Sequence, residues 1–136
     1  MHAAPRKLSK METQLRTFAL GFPDATEEFP WGERVIKVKG KIFLFFGQPP
    51  EGGYGVGVKL PVSAEAALAM PFAEPAGYGL GKHGWVSAKF ATAADMPLDL
   101  LKEWIDESYR AVAPKSVLAK LESQEAPTPK PKRKKK

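Results

Sequence analysis

The spacing of large apolar residues near the start of the chain predicts an amphipathic helix. Four of them recur at helical intervals: Met11, Leu15, Phe18 and Phe22. Ser9 and Glu12 precede this run with the spacing of an S-x-x-E capping box, and Pro23 ends it. The next segment, 24–32, is rich in turn-forming residues, so we predict no regular structure there.

Strand-like patterns follow over 34–39, 41–46 and 54–60. Lys39 and Gly40 separate the first two, and a glycine at this position permits the positive φ of a tight hairpin turn. In the third segment, apolar residues alternate with Gly55, Gly57 and Lys59. One face of that strand should therefore be packed and the other nearly bare.

The second half of the chain repeats this mixture of helix and strand. Ser63 should cap a short helix over 64–70, strands over 76–79 and 84–90 should pair, and a long helix should begin near Pro97. The segment 115–121 adds a further helical turn or two. The predicted order is α-β-β-β-α-β-β-α, a two-layer α+β sandwich with an antiparallel sheet and the helices on one face.

Composition narrows the possible chemistry. The 136 residues suit one domain, predicted over 9–121 between a flexible lead (1–8) and a disordered Pro- and Lys-rich tail (122–136). The chain has no cysteine and two histidines, which excludes disulfides and thiol catalysis and disfavours a zinc site. No apolar run has the length of a membrane span, so we predict a cytoplasmic protein.

Charge is concentrated at one end of the sequence. Removing the six basic tail residues from the chain's 21 leaves 15, which equals the number of acidic residues. The predicted nucleic-acid contacts in the tail are therefore Lys130, Lys132, Arg133, Lys134, Lys135 and Lys136. A cationic arm on a neutral body binds polyanions by releasing their counterions. A solubilising tail or a localisation signal is the alternative.

The predicted strands are also rich in basic residues. These are Arg34, Lys37, Lys39, Lys41, Lys59 and Lys89, whereas acidic residues gather on the last helix. Alternation places Trp85, Ser87 and Lys89 together on the face opposite Val86 and Phe90. A cationic sheet with an exposed tryptophan could hold phosphates and stack a base. Lysines that merely protect solvent-facing strands are the alternative.

Three separated clusters resemble a known family. They are Glu27-Glu28-Phe29-Pro30-Trp31-Gly32, then Gly77-Tyr78-Gly79-Leu80-Gly81-Lys82-His83-Gly84-Trp85-Val86, and finally Glu107-Ser108-Tyr109-Arg110 with Ala113-Pro114-Lys115. Their order and spacing are similar to those of the MmcQ/YjbR family of small bacterial proteins, over roughly residues 10–121. The resemblance implies a fold similar to CyaY, the bacterial frataxin, and DNA binding without catalytic residues.

No cofactor or enzyme motif is predicted. The glycine cluster formally matches G-x-G-x-x-G-x-V, but a strand follows it where a dinucleotide fold needs a helix. The glycines near Lys82 either permit a hairpin turn or present backbone N–H groups to one phosphate. His83 has no neighbouring residue at a spacing that would orient it as a general base.

We therefore predict a non-catalytic DNA-binding protein, with RNA as a further possible partner and no metal, cofactor or membrane. Its tail should supply affinity, while Lys37, Lys39, Lys59, Lys82, Lys89 and Trp85 orient the contact with little sequence preference. The first alternative is a protein-interaction module, a dimer resembling secretion chaperones. The second is a small-molecule-binding protein or enzyme that uses loops around Trp31, Tyr78 and His83.

Overall fold

A computed structural model describes residues 8–29, 34–47, 52–77 and 83–125, with side chains through residue 123. Its first helix, α1 (Lys10–Leu20), begins with the predicted capping box. The Ser9 Oγ atom accepts a hydrogen bond from the Glu12 backbone N–H at 3.1 Å, and Glu12 Oε1 accepts one from the Ser9 N–H at 2.9 Å. These bonds satisfy backbone groups that the first turn of a helix leaves without partners.

Six strands form one antiparallel sheet with the order β1-β2-β3-β4-β6-β5. In chain order they are β1 (Ala25–Glu28), β2 (Arg34–Val38), β3 (Lys41–Gly47), β4 (Tyr54–Lys59), β5 (Ala73–Pro75) and β6 (Trp85–Phe90). The predicted turn between β2 and β3 is confirmed, since Lys39 and Gly40 have φ values of 50° and 81°. Positive φ at both central residues is the signature of a hairpin turn that matches strand twist.

The remaining helices pack with α1 on the sheet. They are α2 (Ala64–Leu68), α3 (Leu98–Val112) and α4 (Lys115–Glu125), with a short 3₁₀ turn at Ala93–Asp95. Each helix contributes to one buried apolar cluster, for example through Leu15, Ala67, Ile105 and Val117. The predicted α+β class with an antiparallel sheet is confirmed.

Four local predictions differ from the structure. Residues 25–28 form a strand where we predicted none, and β5 lies at 73–75, before residues 76 and 77 of the predicted strand 76–79, whose residues 78 and 79 lie outside the described residues. Helix α4 continues to Glu125, whereas we predicted helical turns only over 115–121. The Ser63 side chain does not cap α2, because its hydroxyl donates a hydrogen bond to Glu107 Oε1 at 2.6 Å instead.

Candidate nucleic-acid interface

Among the described residues, no helix packs on one face of the sheet, and strand register identifies the residues of this face. Phe45 lies opposite Val35 on one side and Gly57 on the other, and Gly57 lies opposite Ser87. Residues directly opposite each other point to the same face. The flanking residues Val86 and Ala88 are buried in the core, so Ser87 and its cross-strand partners face away from the helices. We call this surface the open face.

An aromatic pair lies at the centre of the open face. The rings of Phe45 and Trp85 meet edge to face, with centroids 5.3 Å apart and planes at 71°. Gly57 lies beneath this pair, because a Cβ atom at that position would stand 3.4 Å from Phe45. Both aromatic side chains are partly exposed, as the alternating burial of β6 predicts for Trp85. Gly55 and Gly57 have no side chains, so the sheet surface beside the two rings is recessed and a ligand can approach the backbone there.

The open face is less basic than the sequence suggested. Lys37 Nζ lies 3.0 Å from Glu28 Oε1, and Lys89 Nζ lies 2.8 Å from Glu74 Oε2. Lys59 has no carboxylate within 4 Å among the described residues, and it lies opposite Trp85 in the ladder. Alternation placed these three lysines on the correct face. It did not reveal the two acidic residues that reduce their charge.

Two other basic residues of the predicted strands, Arg34 and Lys39, do not belong to the open face. Arg34 lies opposite the buried Phe46, so it points toward the helices, which corrects the prediction. Its guanidinium contacts Glu27, whose carboxylate also accepts two hydrogen bonds from Arg16 of α1 at 2.6 and 2.8 Å. These bonds, the one from Arg16 first, hold the pKa of Glu27 below its usual value. Lys39 lies in the hairpin turn, 3.8 Å from Asp24 Oδ2.

Several predicted site residues lie outside the described residues. They are Lys82, the basic tail residues Lys130, Lys132, Arg133, Lys134, Lys135 and Lys136, and the loop aromatics Trp31 and Tyr78. Their roles stay predictions. His83 lies within the described part and is exposed.

The Glu107-Ser108-Tyr109 run on α3 connects parts of the fold. Glu107 accepts hydrogen bonds from the backbone N–H groups of Val62 and Ser63 at 2.8 and 2.9 Å. Burial disfavours ionisation of this carboxyl, but the hydrogen bonds from Ser63 and Val62 outweigh burial and lower its pKa. Tyr109 Oη donates a hydrogen bond to the Pro23 carbonyl at 2.8 Å. The sequence predicted that Tyr109 packs or bonds a loop carbonyl, but it predicted only a solvated position for Glu107, because the partners of Glu107 lie far away in the chain.

A groove lies on the helix side of the fold. It has a volume of about 660 Å³ and is lined by Phe18, Pro61, Val62, Lys102, Glu103, Asp106, Glu107, Arg110 and Ala111. Four of its five charged groups are engaged locally: Arg110 contacts Asp106, Glu107 accepts hydrogen bonds from Val62 and Ser63, and Lys102 lies over the Phe18 ring. Within the described ranges, no catalytic set and no cluster of three metal-ligating side chains is present.

A comparison with known protein families tests the family resemblance that the three sequence clusters suggested. The model of a family described as YjbR matches residues 20–111. The chain belongs to the YjbR family. The match includes every strand, the aromatic pair and most of α3, and it ends before α4 and the basic tail. YjbR is not a known enzyme family.

A search of curated proteins finds no match to this chain. Among the helices that the structure describes, none is long and apolar enough to cross a membrane.

Proposed function

We propose that this YjbR-family protein binds nucleic acid without catalysing a reaction. The observation that carries the proposal is the Phe45–Trp85 pair on the open face, which no described helix covers, with Lys59 beside it. Aromatic rings on a sheet can stack with exposed bases, while a nearby ammonium group binds the backbone phosphate. The basic tail supplies further affinity through phosphate contacts.

The tail contributes a salt-dependent affinity that does not depend on sequence. If all six of its positive charges met phosphates of duplex DNA, log K would fall with log salt at a slope of about −5. Affinity would then drop roughly a thousandfold between 50 and 200 mM salt. The remainder of the chain has equal numbers of acidic and basic residues, so its net charge adds little long-range attraction.

The open face favours single-stranded over duplex nucleic acid. Bases in a duplex are stacked on each other, whereas bases in a single strand can lie against Trp85 and Phe45. Phe45 and Trp85 can stack on any base but do not form the hydrogen bonds to base edges that distinguish one base from another. The lysines act on phosphates as point charges. We therefore expect weak preference among sequences and tighter binding to single strands once the tail is removed.

The test measures binding of labelled oligonucleotides by fluorescence anisotropy between 50 and 200 mM salt. Deleting residues 126–136 should weaken binding strongly and flatten its salt dependence. The matched control is a tail in which the same residues are shuffled, since an electrostatic contact tolerates a change of order. Equal affinity and slope in the deleted and intact proteins would refute the role of the tail.

A second variant isolates the open face. Trp85→Ala in the tail-deleted protein should lower single-strand affinity by about tenfold, because stacking contributes roughly 1–3 kcal/mol per base. Trp85→Phe retains a ring and should lose less. The proposal fails if the intact protein binds neither duplex nor single strands at 50 mM salt. A mass that rises with protein concentration, together with no binding, would support the interaction-module alternative.

A further inference from the structure

A second basic cluster lies where helix α4 meets the turn between β2 and β3. Asp24 Oδ2 is 2.9 Å from Lys120 Nζ on α4 and 3.8 Å from Lys39 Nζ in the turn. Both lysine side chains are more than half exposed, at 57% and 53%. One carboxylate oxygen therefore lies between two solvent-accessible ammonium groups that come from distant parts of the chain.

The backbone fixes this arrangement. Ala25 pairs with Val38, so the preceding Asp24 is held beside the turn at Lys39, and Lys41 follows on the other side of the turn. Helix α4 is anchored through Val117 and Leu121, both buried in the core. We call Lys39, Lys41 and Lys120 the turn cluster.

The turn cluster keeps a positive charge. Lys41 is exposed, and Asp24 is the only carboxylate within 4 Å of any of the three lysines among the described residues. The hydrogen bond from Lys120, and then the charge of Lys39, lower the pKa of Asp24, so this carboxylate is ionised at neutral pH. Three ammonium groups and one carboxylate leave an excess of two positive charges.

The cluster is also close to the tail along the sequence. Lys120 lies five residues before Glu125, the last helical residue of α4, which corresponds to about 8 Å along a helix. The six basic residues of the tail follow from position 130. The first of them, Lys130, is thus ten positions after Lys120 in the sequence.

We propose that the turn cluster is a phosphate-binding surface of the folded domain, and that Asp24 competes there with the phosphates of nucleic acid. This inference rests on the proposed function and assigns a contact that the open face does not provide. A phosphodiester group brings the same negative charge as the carboxylate. It would take over the two lysines that Asp24 occupies in the free protein.

Asp24→Asn in the full chain tests this competition. Asp24 has a φ of 61°, a conformation that asparagine adopts as readily as aspartate, so the turn should be retained. We expect affinity at 50 mM salt to rise by about two- to tenfold with little change in the salt slope, because the same two lysines contact phosphates but no carboxylate competes for them. The double variant Lys39→Gln/Lys120→Gln should weaken binding and reduce the slope by roughly 1.8.

Glu65→Gln is the matched control. It makes the same change in net charge on α2, which packs against β5 and β6 at the opposite edge of the sheet from Asp24. Its affinity should stay close to that of the unchanged protein. Equal gains in Glu65→Gln and Asp24→Asn would overturn the turn cluster, because net charge alone would explain both results.

Two further outcomes separate this inference from the proposed function. If the double variant binds like the unchanged protein while tail deletion abolishes binding, the turn cluster is refuted and nucleic-acid binding stands. If no variant binds any oligonucleotide at 50 mM salt, the proposed function itself is refuted. Thermal unfolding of each variant, followed by circular dichroism, confirms that the compared proteins are folded.

Discussion

Replacing Ser108 by alanine tests whether one hydroxyl joins α3 to the sheet. Ser108 is fully buried, and its Oγ accepts a hydrogen bond from the Lys59 N–H at 2.8 Å while it donates one to the Phe43 carbonyl at 2.6 Å. The ladder between β3 and β4 ends at Phe45 and Gly57, so it does not include Phe43 and Lys59, which lie two positions further along each strand. The hydroxyl therefore bridges the two strands at the point where their direct pairing stops.

The expected loss of stability follows from the groups that remain. Ser108→Ala leaves the Lys59 N–H and the Phe43 carbonyl without this partner, and alanine adds no atom that could bond to either. A buried polar group without a partner costs about 1–3 kcal/mol. Two such groups predict a decrease of roughly 2–6 kcal/mol in the free energy of unfolding, which is a large part of the stability of a small domain.

Urea unfolding followed by tryptophan fluorescence measures this change. We expect a lower midpoint with an unchanged m-value, since the variant should unfold from the same folded structure. Ser116→Ala on the exposed surface of α4 is the matched control and should change stability by less than about 0.5 kcal/mol. A loss of the same small size in Ser108→Ala would refute the reasoning, because it would mean that the bridge contributes nothing.

Three further predictions concern single residues. Burial, and then the charge of Asp24, raise the pKa of Tyr109 to about 12 from 10.0, so its contribution to stability is present below pH 10 and lost as pH rises to 12. Tyr109→Phe should flatten the dependence of Tm on pH over that range, and parallel curves would contradict this. Glu27 has a lowered pKa, so its ion pairs stabilise the fold above its usual value of 4.5 and are lost as pH falls. The stability difference between Glu27→Gln and the unchanged protein, about 1–2 kcal/mol at neutral pH, should therefore disappear in acid. A Cβ at Gly53 would lie 2.4 Å from the Phe90 carbonyl oxygen, whereas one at Gly52 would meet nothing within 4 Å. Both glycines have positive φ, so Gly53→Ala should cost more in unfolding free energy than Gly52→Ala, and equal costs would show that the contact is relieved.

Local patterns predicted the elements whose signals lie within a few residues. The capping box at Ser9, the turn at Lys39-Gly40 and the alternation of β6 all depend on neighbours in sequence, and all are present. Strand β1 was missed because Ala and Glu are poor strand formers. Its formation depends on pairing with β2 and on the ion pair of Glu27 with Arg16, which tertiary structure alone brings together.

The charge of the open face could not be predicted for a related reason. Glu28 and Glu74, which pair with Lys37 and Lys89, lie on β1 and β5, and these are the two strands that the sequence did not place correctly. Alternation fixes the face of a residue from its own strand, but its cross-strand neighbours come from other strands. An error in the outer strands therefore hides the acidic residues that offset the inner lysines. Lys59 lies opposite Trp85 on β4, the strand between β3 and β6. Among the described residues, no acidic residue lies within 4 Å of it, so no neighbouring carboxylate offsets its positive charge. This residue, rather than the larger set of strand lysines, is where a phosphate beside the aromatic pair should bind.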